Sequence, residues 1–190
     1  LEFSPNVVVM NEPSAAKQLR ENLNVEVMEG VDGMHAAVTD ERIDIVVAGI
    51  VGYAGLSSIL LAIEYGKQIL LANKEAIICA GSLILEKIKT SSSKIIPIDS
   101  EHNAIFQCLG KDYECFKKPQ NINKIILTAS GGPFRNWSDE QMKNASIESA
   151  LKHPNWKMGK KISVDSATMM NKGLEILEAH WLFKLQNKEI

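Results

Sequence analysis

The sequence lacks the patterns that mark several protein classes. Its three cysteines form no Cys-x-x-Cys pair, which argues against a zinc site or a disulfide framework and indicates reduced thiols. Its apolar runs are short and interrupted by charge, so none predicts a membrane span, and no signal-peptide pattern is recognisable. The formal net charge of -2 gives no basic field that would favour nucleic acid. We therefore expect a globular protein without a nucleic-acid or membrane partner.

Strand-like and helix-like segments alternate along the first half of the chain. "NVVVM" and the apolar run "IDIVVAGIVG" predict strands, the second of them buried, and "YAGLSSILLAIEYG" predicts a helix closed by Gly66. Cys79 and Cys108 lie in apolar runs and are expected in the core. This alternation predicts parallel strands joined by crossover helices, an α/β doubly wound sheet.

The pattern changes near residue 98. Helix-like segments then mix with loops and with the strand-like segments "KIILTAS" (124–130) and "KISVDS" (161–166). We therefore predict two domains, a doubly wound domain over residues 1–98 and an α+β domain over residues 99–190. In doubly wound sheets, ligands bind beyond the carboxyl ends of the strands. The clusters 73–75 (Asn-Lys-Glu) and 99–101 (Asp-Ser-Glu) both follow predicted strands there.

Asp99 and Glu101 place two negative charges close together at the end of a strand. Side chains two apart on a strand point to one side, so the carboxylates could converge, with the hydroxyl of Ser100 beside them. Oxygen-rich groups of this kind suit Mg²⁺ or Mn²⁺. The alternative is a solvated strand end with Glu101 in the first turn of a helix, and this segment alone favours that alternative.

A second cluster lies in "SVDSATMMNKGLE". If a helix begins after Ser166, that serine caps it and the first amides could attract a phosphate. Asn171, Lys172 and Glu175 would then lie near one face of this helix. Gly173 costs roughly 1 kcal/mol relative to alanine inside a helix, which indicates a close approach to the backbone. The alternative is a surface helix with an ordinary Lys–Glu pair.

Two further segments are weaker candidates. "TASGGPF" brings Ser130 next to exposed backbone amides, a pattern typical of anion sites but also of ordinary turns. "KHPNWKMGKK" contains His153, Trp156 and Met158, and large apolar residues in such a segment predict either a lid over a ligand or a loop whose tryptophan packs in the core.

Taken together, "LLANKEAIICAG", "IPIDSEHNAIFQCL", "ASGGPF" and "KHPNWKMGKKISVDSATMMNKGLE" resemble the signature segments of the 1-deoxy-D-xylulose 5-phosphate reductoisomerase family. The resemblance extends over essentially the whole chain and keeps the order of the segments. It implies an NADPH- and Mg²⁺- or Mn²⁺-dependent enzyme of non-mevalonate isoprenoid biosynthesis, with a partial Rossmann-like NADPH domain followed by a catalytic domain.

The resemblance also implies roles for single residues. The metal ligands would be Asp99, Glu101 and Glu175, which with Lys74 and His153 form the catalytic set. The cofactor-side residues would be Asn73, Glu75 and Gly159. The substrate-binding set would be Lys74, Ser100, Glu101, Ser130, His153, Trp156, Met158, Ser166, Asn171, Lys172 and Glu175.

The chain departs from this family at both ends. No Gly-x-Gly-x-x-Gly segment is present, and "AGIVGYAG" comes two strands too late to replace it. The family's C-terminal helical domain is also missing, so we expect a central fragment that binds NADPH poorly and turns over little. The resemblance further implies a homodimer in a bacterial cytoplasm, or in a plastid-type organelle. A non-catalytic domain that binds metal and sugar phosphate, or a cofactor-free sugar-phosphate isomerase, is the alternative.

Overall fold

The computed structural model describes residues 2–153 and 158–190. The chain divides into two compact units, residues 1–98 and residues 99–190. Among the described residues, no helix has both the length and the apolar character needed to cross a bilayer.

Strands and helices alternate throughout the first unit. The elements are β1 (Val7–Met10), α1 (Pro13–Asn22), β2 (Glu26–Glu29), α2 (Gly30–Thr39), β3 (Ile45–Ala48), a 3₁₀ turn (Tyr53–Gly55), α3 (Leu56–Glu64), β4 (Gln68–Leu71), α4 (Lys74–Lys89) and β5 (Ile95–Pro97).

All strand pairs of this unit are parallel. β1 pairs with β2, and β3, β4 and β5 form a three-stranded sheet in that order. In the register of the larger sheet, Ile69 of β4 lies opposite Val46 of β3 and Ile95 of β5. Because parallel strands need crossover connections, each is followed by a helix before the next strand. The α/β class with parallel sheets is confirmed.

The core of the first unit lies between the larger sheet and helices α3 and α4. Ile59 and Ile63 of α3, Ile69 and Leu71 of β4, and Ile77 of α4 are completely buried. Each such side chain contributes roughly 1.5–3 kcal/mol by leaving water. This packing holds the carboxyl end of β4, from which α4 starts.

The sequence predicted more burial than the structure has at β3, at Cys79 and at Cys108. β3 was predicted to be a buried strand, but Ile45 and Val47 are 51% and 63% exposed. β3 is an edge of its sheet, and an apolar run does not reveal how many of its faces are covered. Cys79 and Cys108 are exposed rather than in the core, whereas Cys115 is buried.

The second unit is helical in the residues described. Its elements are α5 (Ser100–Cys108), α6 (Asp139–Lys143), α7 (Ile147–Ala150), α8 (Lys160–Ala167), α9 (Met170–Phe183) and a final 3₁₀ turn (Asn187–Glu189). Its core is built around α9, where Leu182 and Phe183 are completely buried, as is Leu185 just beyond the helix.

Two strands predicted in this unit were wrong. Residues 161–166 lie inside α8, where the hydroxyl of Ser163 donates to the carbonyl oxygen of Gly159 at 3.0 Å. Residues 124–130 have no assigned strand; their backbone bond from Ile125 N to Glu189 O, 2.8 Å, does not form a ladder. A β-branched pattern is not enough, because a strand also needs a neighbouring strand to pair with.

Candidate active site

Asp99 and Glu101 converge through the start of a helix rather than along a strand. β5 ends at Pro97, Asp99 occupies the N-cap position of α5, and Glu101 lies in its first turn. The prediction that Asp99 and Glu101 converge as alternate residues of one strand was therefore wrong. Glu101 lies in the first turn of a helix, as the alternative interpretation predicted. Negative charge is favoured there by the helix dipole.

A third carboxylate comes from α9. Glu175 is only 1% exposed. One oxygen each of Asp99, Glu101 and Glu175 lies within 4.8 Å of the other two. Three carboxylates so close repel one another unless a positive charge compensates them. Hard oxygen donors at this spacing fit Mg²⁺ or Mn²⁺, so these three residues could hold such an ion.

Lys172 supplies positive charge to this cluster. Its Nζ lies 3.2 Å from Glu101 Oε1, and it also contacts Glu175 Oε2 and donates to the carbonyl oxygen of Thr128. The amide of Asn171 donates to Glu175 Oε1 at 2.6 Å. The first turns of α9 thus place an amide, an ammonium and a carboxylate together.

The electrostatics of Glu101 reflect these neighbours. Burial by itself raises the pKa of Glu101, but the hydroxyl of Ser100, which donates to Oε2 at 2.6 Å, and the Lys172 charge lower it. The net pKa lies below the ordinary glutamate value. Glu101 is consequently ionised at neutral pH, as a cation ligand must be.

The predicted role of Ser166 as a helix cap was wrong. Ser166 lies in the last turn of α8, and α9 begins only at Met170, with Met169 at the N-cap in the left-handed region (φ 61°). The backbone amides at the start of α9 therefore follow Met169, and Ser166 does not cap them. The close approach expected at Gly173 is also absent, since a β-carbon there would meet only the Met170 sulfur, at 4.0 Å.

The loop of residues 130–133 (Ser-Gly-Gly-Pro) brings Ser130 and His153 together. Ser130 Oγ lies 3.1 Å from His153 Nε2 and accepts from the amide of Gly132 at 3.3 Å. Gly132 has a φ of 66°, and a β-carbon on it would lie 2.4 Å from the carbonyl oxygen of Ser166. The loop therefore packs directly against the end of α8, and only glycine fits at this contact.

The remaining candidates of this unit lie around α8. Gly159 is the N-cap residue of α8, and its carbonyl oxygen accepts from Ser163 N at 3.1 Å. Met158, directly before it, is half-buried. Trp156, the other predicted lid residue, lies outside the described residues.

The candidates of the first unit lie where α4 follows β4. Asn73 is buried and caps α4, because its Oδ1 accepts from Ala76 N at 2.9 Å. Its amide nitrogen donates to the carbonyl oxygens of Ile50 and Gly52, the latter at 2.9 Å. Lys74 is buried, and Glu75 lies in the first turn of α4. Asn73 thus fixes the loop after β3.

Sequence reasoning missed two buried polar residues behind the carboxylates. His102 of α5 and Glu178 of α9 are both completely buried, with 3.3 Å between His102 Nδ1 and Glu178 Oε2. His102 Nε2 lies 2.9 Å from the carbonyl oxygen of Glu175. The signal was available: each residue lies three positions after a proposed ligand, Asp99 or Glu175, hence near the same helix face.

The parallel α/β unit and the carboxylate cluster together define the class, a doubly wound α/β protein with a site suited to a divalent cation. A family model described as 1-deoxy-D-xylulose 5-phosphate reductoisomerase matches residues 1–81, and the model of that reductoisomerase's C-terminal domain matches residues 95–183. The chain belongs to the 1-deoxy-D-xylulose 5-phosphate reductoisomerase family.

Individual relatives agree with this assignment. The 1-deoxy-D-xylulose 5-phosphate reductoisomerase of Desulfitobacterium hafniense is 48% identical over 192 residues, covering 100% of this chain and 49% of the relative. A crystal structure of DOX-P reductoisomerase in complex with NADPH, fosmidomycin and magnesium matches with a TM-score of 0.89 and 46% identity. A crystal structure of DOX-P reductoisomerase in complex with magnesium matches with a TM-score of 0.86 and 43% identity. Each solved structure matches over 100% of this chain and 48% of its own. The chain thus spans about half the length of the relatives it matches.

Proposed function

We propose that this chain carries the metal- and substrate-binding part of a 1-deoxy-D-xylulose 5-phosphate reductoisomerase. The reaction is the metal-dependent rearrangement of 1-deoxy-D-xylulose 5-phosphate, followed by NADPH reduction to 2-C-methyl-D-erythritol 4-phosphate. In this proposal residues 1–98 contribute to NADPH binding, and residues 99–190 bind metal and substrate. Family membership supports the proposal and favours it over a non-catalytic binding domain.

The observation that carries the proposal is the meeting of Asp99, Glu101 and Glu175, with ligand oxygens within 4.8 Å of one another. These residues would hold the divalent cation, which, when bound, supplies Lewis-acid polarisation of substrate oxygens. The second solved relative, described as a magnesium complex, supports the choice of ion.

The substrate-side residues would bind and orient the phosphate and the hydroxyls. Lys172 contacts both Glu101 and Glu175, so it can bind a phosphate or a hydroxyl beside the proposed metal ligands. Ser130 and His153 offer a hydroxyl and an imidazole 3.1 Å apart, next to two glycines in the left-handed region, 131–132. Binding the phosphate away from the reacting carbons would supply energy for orienting them. Trp156 and Met158 remain the proposed lid, and Ser100, Ser166 and Asn171 remain in the proposed substrate set.

NADPH, when bound, supplies the hydride. Its proposed contacts are Asn73, Glu75 and Gly159, and Lys74 is proposed on the substrate side. The polar atoms of Asn73 already cap α4 and hold the loop after β3. Asn73 would therefore act on the cofactor by shaping that loop.

Two properties of the whole protein belong to the same proposal. A homodimer follows from the family resemblance, and light scattering of the purified protein tests it. A bacterial cytoplasm is proposed because the D. hafniense relative and its counterparts are bacterial proteins.

Metal titration tests the proposal on the chain itself. Electron paramagnetic resonance of free Mn²⁺ gives the affinity of the wild type, of Glu175→Gln and of Glu148→Gln, whose glutamate is exposed on α7. We expect one Mn²⁺ per chain, loss of binding in Glu175→Gln, and no change in the control. Fosmidomycin, present in the first solved relative, should bind more tightly when Mn²⁺ is present. Equal Mn²⁺ affinity in wild type and Glu175→Gln would exclude the site.

A further inference from the structure

The imidazole of His102 contacts three residues of α9, namely Glu175, Glu178 and Phe183. It is completely buried and stacks on the ring of Phe183, with 6.2 Å between the ring centroids and 10° between the planes. Its Nε2 lies 2.9 Å from the carbonyl oxygen of Glu175. A carbonyl oxygen only accepts, so Nε2 carries the hydrogen and donates.

The opposite side of the ring faces the next turn of the same helix. His102 Nδ1 lies 3.3 Å from Glu178 Oε2, and Glu178 is as completely buried as the ring. One carboxylate oxygen of Asp99, one ring nitrogen of His102 and one carboxylate oxygen of Glu178 lie within 4.8 Å of one another. The ring is thus set between a ligand-bearing helix start, α5, and the helix that carries Glu175.

From these contacts we propose that His102, packed against Glu178 and Phe183, is a positioning residue that sets the Glu175 carboxylate against Asp99 and Glu101. The reason is geometric. Asp99 and Glu101 sit at the start of α5, whereas Glu175 sits on α9, so their oxygens stay in range only if the two helices keep their register. A shift of one residue along α9 would move Glu175 by 1.5 Å and turn it by about 100°. The hydrogen bond from His102 to the backbone of Glu175 opposes that shift directly. The inference rests on the proposed metal site.

The test compares two replacements of His102 in the full chain. Glutamine places its amide nitrogen near the position of Nε2 and keeps a donor for the Glu175 carbonyl oxygen, whereas asparagine is too short to do so. Partners behind metal ligands typically change metal affinity about 10- to 100-fold. We expect the Mn²⁺ dissociation constant to rise about tenfold in His102→Asn and to stay within about threefold of wild type in His102→Gln.

A matched control variant distinguishes positioning of Glu175 from a general contribution of His102 to stability. Leu185→Ala removes a completely buried side chain of the same unit, and it should lower the thermal unfolding midpoint without changing Mn²⁺ affinity. If His102→Asn fails to fold, Glu178→Gln, which preserves volume, replaces it and should weaken Mn²⁺ binding about tenfold. Wild-type affinity in folded His102→Asn, or in folded Glu178→Gln where that variant replaces it, overturns the inference.

The remaining outcomes are equally specific. If the wild type binds no Mn²⁺, or Glu175→Gln binds it normally, the proposed metal site fails first. If Glu175→Gln loses Mn²⁺ while His102→Asn keeps it, only the positioning role fails. Two Mn²⁺ per chain, with one lost in both His102 variants, would make His102 a ligand and overturn the positioning role.

Discussion

Replacing Lys172 by methionine tests how the carboxylate cluster is compensated without a metal. Lys172 Nζ lies 3.2 Å from Glu101 Oε1 and also contacts Glu175, which is only 1% exposed. At an effective dielectric constant of about 20, two charges at that distance attract by about 5 kcal/mol. Removing one partner of a buried pair costs about 3–5 kcal/mol. Because 15% of the lysine side chain is exposed, we expect the lower end, about 3 kcal/mol.

Urea unfolding measures this loss, with Lys87→Met as the matched control. Lys87 Nζ lies at the same 3.2 Å from Glu64 Oε2, but both side chains are exposed, 36% and 58%. Exposed pairs contribute below about 1 kcal/mol, so the control should lose far less. The two lysines lie at the same distance from Glu101 and Glu64, but Lys172 is more deeply buried and also contacts Glu175.

Divalent cations should restore the Lys172 variant. A ligand at a hundredfold excess over its dissociation constant stabilises the folded state by about 2.7 kcal/mol. In Lys172→Met the ion no longer competes with the ammonium, so MgCl₂ should stabilise this variant more than the wild type. Equal unfolding free energies for Lys172→Met and Lys87→Met, with no gain from MgCl₂, would refute the compensation argument.

Three further predictions concern a loop, a thiol and a partly exposed carboxylate. Gly132→Ala should destabilise the chain by more than about 2 kcal/mol in urea unfolding, because its β-carbon would clash with a backbone carbonyl of α8. The control is Gly110→Ala, where the backbone is also left-handed but the space for a β-carbon is open, and it should cost only about 1 kcal/mol. Burial raises the pKa of Cys115 to about 12, so a thiol reagent at pH 8 should modify the other two cysteines first and Cys115 only on unfolding. A hydrogen bond from Arg42 lowers the pKa of Asp40 from 3.8 to about 2, so the stability that Asp40→Asn removes should be full above about pH 4 and vanish as the pH falls through about 2. A pH-independent difference would contradict the last of these.

Local patterns were sufficient for most of the first unit. The alternation of β-branched runs with amphipathic segments predicted the parallel strands β1–β5 and their crossover helices, because both periodicities are properties of the chain itself. The same patterns failed at residues 124–130 and 161–166. There the outcome depended on whether a neighbouring strand was available and whether side chains such as Ser163 could satisfy a helix backbone.

For the site, the sequence by itself determined which chemical groups are present and in which segments: carboxylates at 99, 101 and 175, an amide at 171 and an ammonium at 172. It could also predict that Asn171, Lys172 and Glu175 lie near one helix face, since Glu175 is four and three residues from the other two. Only the tertiary structure decided that α5 and α9 bring the carboxylates to within 4.8 Å, and that His102 and Glu178 lie buried behind them. Residues more than 70 positions apart meet through packing, and packing depends on the shapes of all the elements at once.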